Sequence, residues 1–222
     1  MGEALSSSEL RRVYNNAAHR YDLQHALLTF RSDERGRRMV VELGVRENDR
    51  VLDAGGGTGL TGRLAARKAG PDGHVTVFDL SEGMLEQARA RAEQAGLAAR
   101  MDFTVGDMLA LPYPDASFDA VLSTYSLCPL YDPAQGALEL YRVLKPGRLL
   151  SAAHSSVPPV RPVRMLADCI EGAVSKLHWL SLGCRPVDVL PALIAAGAEL
   201  ISCKRIGVPL WPFLVFVVRK PG

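Results

Sequence analysis

The run Val51-Leu52-Asp53-Ala54-Gly55-Gly56-Gly57-Thr58-Gly59 constrains this chain more than any other stretch. An apolar strand ends in an acidic residue, crosses a glycine-dense turn and enters a helix. Without side chains, Gly55, Gly57 and Gly59 let the backbone bend sharply and approach a ligand closely. The helix that follows offers N–H groups with no intrahelical partner. A turn that only joined strand to helix would need one glycine. The loop therefore reads as a cradle for a ligand held against bare backbone.

Around this loop, strand-like and helix-like segments alternate, which indicates an α/β domain with a mostly parallel sheet. Strands are expected at Arg50 to Ala54, His74 to Asp79, Met101 to Val105, Phe118 to Ser123 and Arg148 to Ala153, the last after a turn at Lys145-Pro146-Gly147. Helices are expected at Glu9 to Ala18, Ser32 to Gly44, Leu60 to Lys68, Ser81 to Ala95, Pro133 to Val143 and Pro186 to Ala196. Glu199 to Ile206 and Trp211 to Val218 form a closing antiparallel hairpin. The organisation expected is one domain: an N-terminal helical cover (1–48), a ligand-binding core (49–154), a proline-punctuated candidate substrate cover (155–185), and a C-terminal helix and hairpin (186–222).

Composition narrows the function classes. At 222 residues with 48% hydrophobic content, one compact core suffices. A net charge of +2 and no dense Lys/Arg run give no reason to expect nucleic acid. The cysteines (Cys128, Cys169, Cys184, Cys203) show no metal-ligand spacing, so no metal is expected and reduced thiols are. Met1 to Arg12 lacks the apolar stretch of a secretory signal, and Val208 to Val218 is far short of the roughly 20 residues of a membrane helix. A soluble cytoplasmic protein is expected. Ser155 to Gly222 carries eight basic and four acidic residues, an excess that leaves peripheral membrane contact open.

Two further carboxylates fall at strand ends. Asp79 lies about twenty residues beyond the loop, where a carboxylate accepts hydrogen bonds from both hydroxyls of an unphosphorylated ribose. Its bland alternative is a residue that starts the next helix. Gly106-Asp107-Met108 ends the third strand at the same sheet edge, where Asp107 is placed to accept from an adenine amino group. A dinucleotide fingerprint would need Gly or Ala where this chain has Leu60, which weakens a nicotinamide reading.

Asp53-x-Gly55-x-Gly57-x-Gly59, Asp79, Gly106-Asp107, Ser117-Phe118-Asp119 and Leu144-Lys145-Pro146-Gly147, in this order, resemble the class I S-adenosylmethionine-dependent methyltransferases. The resemblance runs from about Tyr14 to the end. It implies a Rossmann-like seven-stranded sheet with one reversed strand at 211–218, helices on both faces, and S-adenosylmethionine as cofactor. It puts Gly55 and Gly57 beside the methionine part, Asp79 at the ribose, and Met84, Asp107 and Met108 around the adenine. Asp53, Gly56, Gly59, Leu60, Leu80, Gly106, Ser123, Thr124 and Tyr125 are further cofactor-binding residues that it implies. Tyr14-Asn15-Asn16-Ala17-Ala18-His19-Arg20-Tyr21-Asp22 resembles the opening of ubiquinone and menaquinone C-methyltransferases and of bacterial phosphatidylethanolamine N-methyltransferases, which implies that Tyr21 helps cover the cofactor. Pro209-Leu210-Trp211-Pro212-Phe213 resembles the phospholipid group somewhat more. Arg148 departs from the second glycine of many relatives.

Transfer from a sulfonium needs alignment of the acceptor and exclusion of water rather than a catalytic triad. Where the acceptor must also lose a proton, His154 at the end of the fifth strand is the candidate base, with His19 a weaker one. Tyr125, Ser126 and Cys128 are expected at the pocket mouth. Met165, Trp179, Trp211 and Phe213 are expected as an apolar wall or as plain core. Methyl transfer to a small or lipid-like acceptor, such as a quinone precursor or a phospholipid head group, is the leading reading. A noncatalytic cofactor-binding module and a nicotinamide-dependent oxidoreductase are the alternatives.

Overall fold

The computed structural model describes residues 5–19, 32–165, 167 and 184–222. Seven strands form one sheet: β1 (Arg50–Ala54), β2 (His74–Asp79), β3 (Met101–Val105), β4 (Phe118–Thr124), β5 (Leu144–Ser155), β6 (Glu199–Val208) and β7 (Trp211–Arg219). Their order across the sheet is β3-β2-β1-β4-β5-β7-β6. β1 runs parallel to β2 and β4, β2 to β3 and β4 to β5, while β7 is antiparallel to both β5 and β6. The single reversed strand is therefore the one expected at the end of the chain. After β1 the chain goes to β2 and β3 on one side, then returns to β4 on the other. That reversal opens a crevice at the carboxyl ends of β1 and β4, where open α/β sheets bind ligands.

The central strands are buried on both faces, as parallel strands covered by helices must be. Val51, Leu52 and Ala54 of β1 have no exposure at all. On β7, Leu214, Phe216 and Val218 enter one core with Phe78, Phe118, Leu140 and Leu193, while Phe213 and Val215 enter the other with Val40, Val51 and Val75. Alternate residues thus serve opposite faces, the period of two that a strand imposes.

The helices are α1 (Ser7–Ala17), α2 (Ser32–Gly44), α3 (Leu60–Ala69), α4 (Glu82–Gln94), α5 (Pro133–Val143) and the short α6 (Leu190–Ala195). α1 starts two residues earlier than expected because Ser6 and Glu9 form a capping box, each side chain accepting from the other's backbone N–H. α6 starts later than the expected Pro186, at Leu190, where the Asp188 carboxylate accepts from the Leu190 amide. That local bond holds the backbone in a turn that competes with helix. Among the described residues, no helix is long and apolar enough to cross a membrane.

Lys145-Pro146-Gly147 does not precede β5 but lies inside it. Leu144 already pairs with Phe118, and pairing resumes with Leu149 opposite Ala120 after a bulge. Gly147 takes a positive φ of 74° there, and its amide donates to Lys220 O at 2.7 Å. Arg148 ties the bulge down, with Nε on Asp119 O at 2.9 Å and Nη2 paired with Asp49. Of the expected cover at 155–185, the described part through 165 carries Val160 and Met165 exposed. Trp179 and the Trp211 side chain lie outside the described residues.

Phe216 is fully buried in the reversed strand and packs edge-on against His154 with ring centroids 5.7 Å apart. Phe216→Ala is expected to cost about 3–5 kcal/mol, the usual loss for a large buried aromatic. Urea unfolding monitored by circular dichroism measures it; a cost below about 1 kcal/mol would show that the β5–β7 seam is not load-sharing core.

Candidate active site

The glycine loop is fastened to β2. Gly55 N and Gly56 N both donate to Phe78 O, at 2.7 and 3.1 Å. Gly55 adopts φ 66° and Gly57 φ 53°, a region that side chains disfavour. The two glycines serve different ends. A Cβ on Gly55 would collide with the Ser126 side chain, whereas a Cβ on Gly57 would meet nothing within 4 Å. Gly55 lets β1 and the end of β4 close together, and Gly57 leaves its backbone facing an open cleft.

Asp79 sits at the centre of that cleft. Oδ2 accepts from Gly57 N and Oδ1 from Ser81 N, both at 2.9 Å. Desolvation raises its carboxyl above the usual range, opposed by the amides of Ser81, Gly57 and Leu80. Asp107, across the cleft, accepts from Leu109 N at 2.9 Å and from Ser7 Oγ of α1 at 2.7 Å. α1 is held there at a second point: Asn15 Oδ1 accepts from Ser81 Oγ at 2.6 Å and from Gly83 N at 3.2 Å. The N-terminal helix therefore roofs the cleft, with Leu10 and Tyr14 facing in.

The expected residues sort into two groups. Gly55, Gly56, Gly57, Asp79, Leu80 and Met84 line the cleft, as do Gly106, Asp107, Met108, Thr124 and Tyr125. Asp53, Gly59, Leu60 and Ser123 do not line it. Asp53 is buried beneath the loop; a Cβ on Gly56 would stand 2.8 Å from its Oδ2. Gly59 packs against Ala88 of α4, and Ser123 Oγ bonds Ser126 Oγ at 2.7 Å. Tyr21 lies outside the described residues. His154 is fully buried and does not line the cleft. It shares the β5 face of Ala152, its Nδ1 lies 3.0 Å from Ser155 O, and burial lowers its pKa, favouring neutral imidazole. Ser126 lines the mouth, while Cys128 lies fully buried behind it. Phe213 packs edge-on against Tyr125 at 4.8 Å, and so belongs to the core beneath the cleft wall.

Several cleft residues escaped the sequence reading, among them Ser7 and Leu10 of α1 and Leu130 and Tyr131 after β4, and the most consequential is Arg37. Arg37 of α2 is 5% exposed and reaches the cleft wall, donating to Thr124 Oγ1 at 2.9 Å and Thr61 Oγ1 at 3.1 Å, with its guanidinium over the Tyr125 ring at 5.2 Å. Asp33, one helical turn earlier, is buried beside it at 3.7 Å. An Asp-Arg pair at i, i+4 is visible in the sequence, but Glu34 and Arg38 repeat the spacing, so it does not single Arg37 out. Gly36 makes the approach feasible, since a Cβ there would collide with the Tyr125 hydroxyl. Tyr125 itself turns the chain away from β4 with φ 60°, a conformation a bulky residue holds only where its surroundings enforce it.

Two expected outcomes follow from this geometry. Gly55→Ala forces a Cβ into Ser126 in a left-handed backbone region, and should lower stability by about 1–2 kcal/mol from the backbone conformation alone, read as a fall in Tm. Asp53 is pushed up to about 7, first by desolvation, with Arg37 and the Gly62 amide opposing. The folded chain therefore keeps a proton that the unfolded chain has released, so stability falls as pH rises from about 4 to about 7 and levels off above. Asp53→Asn should flatten that slope in urea titrations across this window; an unchanged slope assigns it to other groups.

Comparison with known proteins accords with this geometry. Residues 51–147 match the family model described as Methyltransferase domain. The chain is 32% identical over 158 residues to the ubiquinone/menaquinone biosynthesis C-methyltransferase UbiE of Proteus mirabilis, covering 71% of this chain and 63% of that one. The UbiE of Pseudomonas entomophila is 34% identical over 157 residues, covering 70% and 61%. The chain thus spans a little under two thirds of the length of these relatives. Among solved structures, geranyl diphosphate C-methyltransferase from Streptomyces coelicolor, in complex with Mg2+, geranyl diphosphate and S-adenosyl-L-homocysteine, superposes with a TM-score of 0.65 at 15% identity, covering 80% of this chain and 74% of that one. Residues 51–147 are a methyltransferase domain, and the chain built around it has the class I S-adenosylmethionine-dependent methyltransferase fold and resembles the ubiquinone/menaquinone C-methyltransferases.

Proposed function

We propose that this protein transfers the methyl group of S-adenosylmethionine to carbon on a small quinone-precursor-like acceptor. The observation that carries the reading is the pairing of Asp79 with the Gly57 amide at the floor of a cleft that also holds Asp107. The residues suit an adenosine-type ligand: bare backbone at Gly57, a strand-end carboxylate for ribose hydroxyls, and a second carboxylate for the adenine amino group. Arg37, the buried cation at the cleft wall, suits the carboxylate of the amino-acid portion. The similarity to quinone C-methyltransferases supports the acceptor class, and it favours that class over phospholipid head groups.

The cofactor supplies an electrophilic methyl group on a sulfonium. The protein's own part is geometric. Asp79 and Asp107 fix the nucleoside end, and Arg37 with the glycine loop fixes the other. The α1 roof, held by Ser7 and Asn15, keeps water from the adenine side. Alignment of acceptor and donor then carries most of the rate. His154, neutral and packed on Phe216, enters this reading as a core residue; the roles of Asp53, Gly59, Leu60 and Ser123 are to shape and support the loop from behind.

Calorimetric titration with S-adenosylhomocysteine, with NAD in parallel, tests the cofactor, and methyl transfer to an unmethylated quinol tests the acceptor. Micromolar binding of S-adenosylhomocysteine alone, with turnover, is the expected result. Binding without turnover on any acceptor would indicate a noncatalytic module, and binding of NAD alone an oxidoreductase. Asp79→Ala is expected to weaken S-adenosylhomocysteine binding by about 1–3 kcal/mol, the scale of a lost charge-assisted hydrogen bond; an unchanged Kd would remove Asp79 from the site.

A further inference from the structure

Two thiols that the proposed chemistry does not use meet behind the cleft wall. Cys128 follows β4, and Cys184 lies 56 residues later, just before α6. Their Sγ atoms stand 2.9 Å apart, and Cys128 Sγ also lies 3.3 Å from Tyr125 O. Cys128 is fully buried, Cys184 is partly accessible, and both are reduced. The segment carrying Cys184 is already fastened to the loop carrying Cys128: Arg185 Nη2 donates to Leu130 O at 2.9 Å and to Tyr131 O at 3.2 Å. Leu130 and Tyr131 line the cleft, as does Ser126 at the other end of the same loop.

We propose that Cys128 and Cys184 form a reversible disulfide that pins the 126–131 wall of the cleft to the segment entering α6. A disulfide sulfur–sulfur bond is about 2.05 Å, so closure needs less than about 1 Å of movement between atoms already in contact. The oxidant is a small disulfide such as oxidised glutathione. The Cys184 thiolate, on the accessible side, attacks it and releases one glutathione thiolate, which takes up the proton Cys184 gave. Cys128 then attacks Cys184 Sγ, and the second glutathione leaves with the Cys128 proton. Two protein thiols lose two electrons and two protons, and one oxidised glutathione becomes two reduced molecules. Geometry suits the second step, because Cys128 Sγ already stands against Cys184 Sγ and is the nearest thiol to the mixed disulfide. Its hydrogen bond from Cys184 is gone once Cys184 carries glutathione, and the Ser155 backbone and hydroxyl remain to stabilise the Cys128 thiolate against burial. The hydrogen bond to Cys128 and burial hold the Cys184 thiol above its ordinary pKa, so the first attack quickens as pH rises. Exposed Cys203 has no such neighbour within the described residues and serves as an internal control. The inference is independent of the methyl acceptor and of the cofactor.

The test is incubation of the folded full chain with oxidised glutathione, followed by alkylation, proteolysis and mass spectrometry without reduction. The expected product is one peptide pair joining Cys128 to Cys184, lost on adding dithiothreitol, retained in Cys203→Ser and absent in Cys184→Ser, whose partly accessible position tolerates the change. Hydrogen exchange at 126–131 is expected to slow several-fold in the oxidised protein and to be unaltered by the same treatment of Cys184→Ser. Glutathione held on Cys184 without release, or a bond to Cys169 or Cys203 instead, would overturn the pairing. A Cys128–Cys184 bond that leaves exchange at 126–131 unchanged would overturn its effect on the cleft wall.

Discussion

The hydrogen bond from the Gly57 amide to the Asp79 carboxylate is the contact on which the site depends, and the sheet makes it. β1 and β2 pair in parallel from Arg50 opposite His74 to Ala54 opposite Phe78, so the two strands end level. The chain leaving β1 is then beside the chain leaving β2, and Phe78 O collects the first two amides of the loop. The third amide arrives at Asp79. A slip of one residue would put Asp79 on the wrong face and separate every one of these partners. The cradle is therefore a property of strand register first and of glycine second: the register sets the distance, and glycine permits the turn that spans it.

The roof depends on the same edge. Ser7 and Asn15 are eight residues apart on α1, roughly two turns, so both project from one face and reach Asp107 and Ser81 together. Those partners follow β3 and β2, two strands adjacent in the sheet. A helix with little intrinsic apolar drive is thus positioned by two polar contacts plus Leu10 and Tyr14. The contact with Ser7 does not exhaust Asp107. A carboxylate oxygen has room for a second donor, so the roof contact is compatible with the adenine contact proposed for Asp107.

Much of this architecture was legible in the sequence because it is locally encoded. β1, β2, β3, α2 and α5 fall at the residues their apolar runs and turn residues indicate. The departures come where long-range contacts outweigh local signals. Lys145-Pro146-Gly147 has the composition of a turn, yet Lys220 O and the Asp49 and Asp119 groups accept from it and from Arg148, turning it into a bulge within β5. His154 stands at the expected strand and end, but strand parity directs it toward Phe216. Arg37 lies in a helix rich in charge, and nothing local separates it from its exposed neighbours Arg35 and Arg38; its burial is set by Thr61, Thr124 and Tyr125, which arrive from α3 and the end of β4.

The two sides of the cleft are specified by different means, and this bears on what the fold alone implies. The side holding Gly57, Asp79 and Asp107 is made by backbone amides, register and strand-end carboxylates, and so follows from a sheet whose fold is shared at 15% identity with a C-methyltransferase. The opposite side is made by side chains on loops: Pro129, Leu130 and Tyr131, with Tyr125 held in its unusual backbone conformation by Gly36 and Phe213. Loop residues change without disturbing the sheet. A common donor can therefore serve many acceptors on one scaffold, and under the proposed function the 125–131 loop, whose shape is set by the packing behind it, is the part of the described cleft free to vary with the acceptor.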